Sequence, residues 1–180
     1  MTFQIIEGDL FDPAHRFNAL AQGVNTKGLM GAGIAVAFRN KFPKMYEEYK
    51  EFCSKYESIL PGLITSHYSD DGGADPEDPA VYNLFSQIQP GKNGDYALLE
   101  RSVFLMLQEA EDAHSVFDSA GELPDGRFRV GLPWIGCGIA GLEKHNVEHI
   151  LRRYLSDSEV EFVLVQQPDP DIVIVNYPSA

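Results

Sequence analysis

Apolar and polar positions along the chain switch repeatedly between a period of two and a period near 3.6, which predicts strands alternating with helices. Thr2 to Glu7 alternates and is rich in β-branched residues, so a first strand is predicted there, ending at Gly8-Asp9-Leu10. Ala19 to Asn25 (ALAQGVN) reads as a second, buried strand running into a glycine-rich loop, Thr26 to Gly33. Beyond it, Ile34, Phe38 and Phe42 recur every four residues, which places them on one face of a helix. Pro43 suits the first turn of a further helix, in which Met45, Tyr49, Phe52, Cys53 and Tyr56 fall at helical spacing.

Leu63 to Tyr68 is a third predicted strand, and Ser69 to Pro79 (SDDGGADPEDP) is an acidic Gly/Pro-rich loop with nothing to bury. Ala80 to Phe85 is short and apolar, as a central strand is. A helix over Asp95 to Ala110 aligns Leu99, Val103, Met106 and Ala110, and Ser115 to Gly126 reads as a polar loop. Phe128 to Leu132 predicts a strand, Pro133 to Gly141 a second glycine-rich loop, Asn146 to Tyr154 a helix and Val160 to Val165 a closing strand. Residues 168–180 (PDPDIVIVNYPSA) form an added edge strand or a loose arm. The alternation implies an α/β fold with a mostly parallel sheet and helices on both faces. Ligands in such sheets sit at the carboxyl ends of strands, where both glycine-rich loops are predicted to lie.

Composition narrows this picture without changing it. The 180 residues fit one domain, and 44% hydrophobic with 23% charged residues is ordinary for a chain with a buried core. No stretch approaches the roughly 20 apolar residues of a membrane span. MTFQIIEGDL lacks the basic and apolar regions of a signal peptide, and Cys53 and Cys137 suggest no disulfide framework, so a cytoplasmic location is expected. The net charge of −13, from 27 acids against 14 bases, argues against a broad nucleic-acid surface. It leaves room for a small anion, because backbone N–H groups and helix N-termini hold phosphate without basic side chains.

The first loop reads Asn25-Thr26-Lys27-Gly28-Leu29-Met30-Gly31-Ala32-Gly33-Ile34-Ala35, and the second Pro133-Trp134-Ile135-Gly136-Cys137-Gly138-Ile139-Ala140-Gly141. Together they are suited to wrapping a diphosphate with backbone N–H groups. Ordinary βα turns, where glycine costs little, are the plainer alternative for either loop alone. A dinucleotide fingerprint fails, since Gly31-Ala32-Gly33-Ile34-Ala35-Val36 lacks its third glycine and no acidic residue ends a strand about 20 positions on. No GK[ST] is present, so a phosphate-binding P-loop fails as well.

The order Gly8-Asp9-Leu10, GVNTKGLMGAGIAVAFRNKFP, VYNLFSQ and LPWIGCGIAGL resembles the macrodomain family. It is most similar to the branch that holds the terminal ADP-ribose protein glycohydrolase, antitoxins that remove ADP-ribose from DNA, and the yeast ADP-ribose-1″-phosphatase. The resemblance spans the chain to about Val165 and implies a three-layer α/β/α domain over residues 1–167 with a mixed, mostly parallel sheet of about six strands. It also implies that Asp9 bonds the adenine amino group, with Leu10 packed nearby. Asn25, Lys27 and the run Met30, Gly31, Ala32, Gly33, Ile34 and Ala35 would line the distal ribose and phosphates. Pro133, Ile135, Gly136, Cys137, Gly138, Ile139, Ala140 and Gly141 would cradle the diphosphate.

Two departures bear on catalysis. The lysine that glycohydrolases of this branch carry after the central strand corresponds to Gln87, and the acidic residue some members place in the second loop corresponds to Ala140. A lysine-nucleophile mechanism therefore does not carry over, and the catalytic expectation falls on Asn25 and Gln87 as orienting amides. Each candidate has a structural counterpart. Asp9 is also a turn former, Asn25 a loop-start residue bonding its own backbone, and Lys27 a solvated loop lysine. Cys137 between two glycines is read as packing rather than as a thiolate. Asp70, Asp71, Asp75, Glu77 and Asp78 fit no calcium-loop spacing and read as a solvated loop. Trp134 and Phe85 read as core or cleft wall. The expectation is a monomeric hydrolase acting on an ADP-ribosyl derivative, or else a reader that only binds ADP-ribose or an ADP-ribosylated macromolecule. No metal, cofactor or membrane partner is expected.

Overall fold

The computed structural model describes residues 2–168. Strands β1 (Phe3–Glu7), β2 (Ala19–Gly23), β3 (Ile64–His67), β4 (Ala80–Leu84), β5 (Arg129–Leu132) and β6 (Glu161–Gln166) form one sheet in the order β1-β6-β5-β2-β4-β3. Every neighbouring pair is parallel except β3 with β4. The helices are α1 (Ile34–Lys41), α2 (Pro43–Tyr56), α3 (Tyr96–Ser119) and α4 (Lys144–Leu155).

The alternation of side chains along each strand divides the interior in two. Ala19, Ala21, Tyr82 and Leu84 face one core with Leu99, Val103 and Met106 of α3 and Val147 and Leu151 of α4. Leu20, Val24, Val81 and Phe85 face the other, with Phe38 of α1 and Met45, Tyr49 and Cys53 of α2. Strands covered on both sides need apolar residues at consecutive positions, which is why β4 is buried throughout. Its neighbours on both sides make it an internal strand, as its sequence predicts.

The polar loop expected from Ser115 begins later, because α3 runs on to Ser119. Phe117 anchors that last turn by stacking on Phe128 with ring centroids 5.9 Å apart and planes at 11°. A 3-10 turn at Pro13–His15 was not expected; Asp12 caps it by accepting the Ala14 amide at 2.9 Å. In the acidic loop the carboxylates shape the chain: Asp71 accepts the Gly73 amide, Asp75 accepts the Glu77 amide, and Asp70 pairs with Lys44. The arm expected over residues 168–180 lies outside the described residues apart from Pro168. Among the described residues no helix is long and apolar enough to cross a membrane.

Candidate functional site

Parallel pairing sends the carboxyl ends of β1, β6, β5, β2 and β4 to one rim of the sheet. The loops leaving that rim enclose a cleft of about 1190 Å³. Asp9 and Leu10 line it after β1, Asn25 and the first glycine loop after β2, Gln87 after β4, and the second glycine loop after β5. Every site residue expected from sequence lines this cleft except two. Lys27 turns to α2, where its ammonium pairs with Glu57 just past the helix end, so it is not part of the lining. Gly141 closes the second loop outside the lining, its amide donating to Gly138 O at 3.1 Å.

The first loop owes its shape to Asn25. Its Oδ1 accepts the Lys27 amide at 2.9 Å and the Tyr49 hydroxyl approaches at 3.1 Å, while its Nδ2 donates to Leu29 O at 2.8 Å. Tyr49 also donates to the Asn25 carbonyl at 2.7 Å, and burial within α2's core face holds that phenol well above its ordinary pKa. The side chain that the sequence reading assigned to the distal ribose is therefore first a staple of its own loop. An amide nitrogen carries two protons, and the bond to Leu29 O uses one of them. The loop ends at Gly33, with φ 60° and ψ −149°, a conformation essentially confined to glycine.

Among the described residues, the backbone amides of Gly31, Ala32, Gly33, Gly136, Gly138 and Ile139 donate no hydrogen bond within the chain. All six residues line the cleft. The two loops nearly meet, for a Cβ built on Gly33 would stand 3.8 Å from Ile139 Cδ1. Two facing rows of unpaired donors, the first leading directly into helix α1, make a cradle for a polyanion.

The side chains around the cradle are mostly uncharged. Asp9 Oδ1 accepts the Phe11 amide at 2.9 Å. Gln87 Nε2 donates to Gln89 O at 2.8 Å. Cys137 is held as a thiol: burial pushes its pKa up to about 11, only partly opposed by the Lys144 ammonium. That removes the helix-dipole thiolate as a nucleophile and agrees with a packing role. Phe11, Leu29, Lys41, Ser86, Lys144 and Gln166 also line the cleft and were not expected from sequence. Ser86 directly precedes the expected Gln87, and Gln166 ends β6, so adjacency and strand order were the available signals. Lys144 begins α4 with its ammonium 5.5 Å from the Trp134 ring, and Trp134 Nε1 donates to Gln166 Oε1 at 2.9 Å. Trp134 is thus cleft wall.

An α/β/α domain with an anion cradle at the strand ends defines the class, and the sequence comparison places it. The chain belongs to the Macro domain family, whose model matches residues 21–151. It is 32% identical over 162 residues to an ADP-ribose 1″-phosphate phosphatase of Meyerozyma guilliermondii, covering 83% of this chain and 91% of that protein. It is 25% identical over 182 residues to a DNA ADP-ribosyl transferase–DNA ADP-ribosyl glycohydrolase fusion protein of Thermosipho africanus, covering 93% of this chain and 43% of that one. The solved structure of Thermosipho africanus DarTG in complex with ADP-ribose superposes with a TM-score of 0.71 at 21% identity, covering 96% of this chain and 43% of that one. That likeness shows the expected three-layer fold.

Proposed function

We propose that the cleft binds ADP-ribose and that the protein hydrolyses an ADP-ribosyl derivative at the distal ribose. The 1″-phosphomonoester is the favoured substrate. The observation that carries this reading is the pair of facing loops whose six amides lack partners, placed to receive a diphosphate. In this reading the adenine lies toward Asp9 and Leu10, after edge strand β1, and the distal ribose toward Asn25 and Gln87, after β2 and β4. Relatives that span most of their length with this chain bear the name of the 1″-phosphatase.

In this reaction water adds to phosphorus and the bond from phosphorus to the C1″ oxygen breaks. A proton ends on that oxygen, giving ADP-ribose and inorganic phosphate. With Cys137 protonated and Gln87 and Ala140 at positions where relatives carry ionisable groups, the chain supplies no strong base there. Phosphate oxygens of the substrate hold the attacking water, and the Asn25 and Gln87 amides orient the ribose, so catalysis rests on positioning. Working as a cytoplasmic monomer is part of the same reading.

The same shortage of ionisable groups favours a second reading, a module that binds ADP-ribose without turning it over. Incubation with ADP-ribose 1″-phosphate, ADP-ribosylated protein and ADP-ribosylated DNA, followed by release of phosphate or ADP-ribose, separates them. Phosphate release from the first substrate supports the enzyme. Binding without release from any of the three establishes the reader.

A further inference from the structure

Among the described residues the charged side chains lining the cleft are Asp9, Lys41 and Lys144. Neither ammonium has a carboxylate within ion-pair distance among those residues. In a chain of net charge −13 the cleft thus carries a local excess of positive charge. The two lysines differ in their relation to their helices. Lys41 lies in the last turn of α1 with its ammonium 5.1 Å from the Phe11 ring, and the helix dipole favours a cation there. Lys144 opens α4, where the dipole disfavours a cation. The first turn of α4 holds no acid, and Glu143 makes no side-chain cap. The fold gains nothing from the charge of Lys144, and a local rule broken without structural gain points to the cleft. The ammonium rests 5.5 Å from the Trp134 ring, which the bond from Nε1 to Gln166 Oε1 fixes in place. From there its charge reaches the Cys137 thiol, favouring ionisation against the stronger effect of burial. Cys137 stands between Gly136 and Gly138, whose amides are among the unpaired donors.

We propose that Lys144 is a specificity-determining residue that holds the diphosphate of ADP-ribose against the second glycine loop. The proposal rests on the ADP-ribose reading above and names the charged group of that site. The amides of Gly136, Gly138 and Ile139 supply directed donors but only partial charge. Lys144 adds a full charge beside them, so the amides orient the anion and the ammonium offsets its charge. A ring face is a weaker electrostatic partner than a phosphate, and the flexible four-carbon stem lets the ammonium exchange one for the other. Lys41 lies beside Phe11, toward the end that this reading gives to adenine, and acts on the diphosphate at longer range.

The test compares the parent with Lys144→Ala, Lys144→Glu, Lys144→Arg and Lys41→Ala. Calorimetry gives the affinity for ADP-ribose, and competition titration the affinity for adenosine, which carries no phosphate. Lys144→Ala should weaken ADP-ribose binding roughly three- to tenfold and leave adenosine within about twofold. Lys144→Glu should weaken it further, and Lys144→Arg should retain most of it. Lys41→Ala should cost less than Lys144→Ala. Raising salt from about 50 to about 500 mM should narrow the gap between the parent and Lys144→Ala, because the contact is ionic. Melting without ligand separates this role from a structural one. Lys144→Glu should melt roughly 1–4 °C above the parent, since it replaces an adverse charge at the start of α4 with a favourable one. Stability and affinity then move in opposite directions. Unchanged ADP-ribose affinity in both Ala and Glu overturns the proposal, as does a proportional loss of adenosine, an equal loss in Lys41→Ala or a gap that salt leaves intact. A Glu variant that melts below the parent also overturns it. A parent that binds no ADP-ribose removes the underlying reading as well, an outcome distinct from each of these.

Discussion

The two ends of the sheet are built on opposite principles. At the amino ends of β5 and β6, Arg129 bonds Glu161 and Asp125, each at 2.8 Å, and Arg127 bonds Glu161 at 3.1 Å. Nearby Asn18 accepts the Arg129 amide at 2.9 Å and donates to Ala74 O at 3.1 Å. Polar groups there are spent on one another. At the carboxyl ends, backbone donors are left unpaired, Gly33 holds a conformation that only glycine adopts readily, and the Lys41 and Lys144 ammoniums lie over aromatic rings. The difference separates stability from function: one end closes the fold and the other keeps donors open for a ligand.

The largest effect is expected at Gly33. Gly33→Glu places a carboxylate among the unpaired amides and should weaken ADP-ribose binding roughly 100-fold or more while the protein remains folded. Gly33→Ala carries the backbone strain alone, roughly 1–3 kcal/mol, and should keep most of the affinity. Equal affinities for the two variants would remove the first loop from the anion site.

Asn25→Ala belongs to both ends of the comparison, because it strips the staple and the amide proposed to orient the ribose together. Turnover should fall roughly 10- to 100-fold. Losing hydrogen bonds in the buried staple should cost about 2 kcal/mol and lower Tm by roughly 4–8 °C. A normal Tm with lost turnover would mean the loop keeps its shape without Asn25. Arg129→Met should show the reverse signature, destabilising by about 1–2 kcal/mol in a denaturant titration with ADP-ribose affinity unchanged. A change in affinity there would erase the separation between the two ends.

Cys137→Ala should have the smallest effect, with kcat/KM within about twofold of the parent. The thiol's pKa of about 11 keeps it protonated through neutral pH, so its alkylation should accelerate only as pH approaches that value. A turnover limb near neutrality that disappears in the Ala variant would restore a thiolate role.

Much of this organisation is legible in the sequence because βα units write it locally. A short apolar strand, a glycine loop and a helical period recur after β2 and β5, and parallel pairing alone brings the two loops together. What is less legible depends on contacts across the sequence. The end of α3 is fixed by Phe117 meeting Phe128, which the polar run from Ser115 conceals. Lys27 is drawn from the cleft by Glu57, thirty residues on, and Lys92 packs over Gly141. Asn25 shows the subtler limit, since the residue type that suits a ribose also suits a loop staple, and only geometry reveals the second role.

The central claim is that the open end of the sheet is an ADP-ribose site spanning both glycine loops. Calorimetric titration with ADP-ribose and with AMP, supported by thermal melting, tests it most directly. ADP-ribose should bind one to one and, at about 100 times its Kd, stabilise the protein by about 2.7 kcal/mol and raise Tm by roughly 5–10 °C. AMP, which leaves the distal end empty, should bind at least roughly tenfold more weakly. Absence of heat and of any Tm shift at millimolar ADP-ribose, or equal affinity for AMP, would contradict the account.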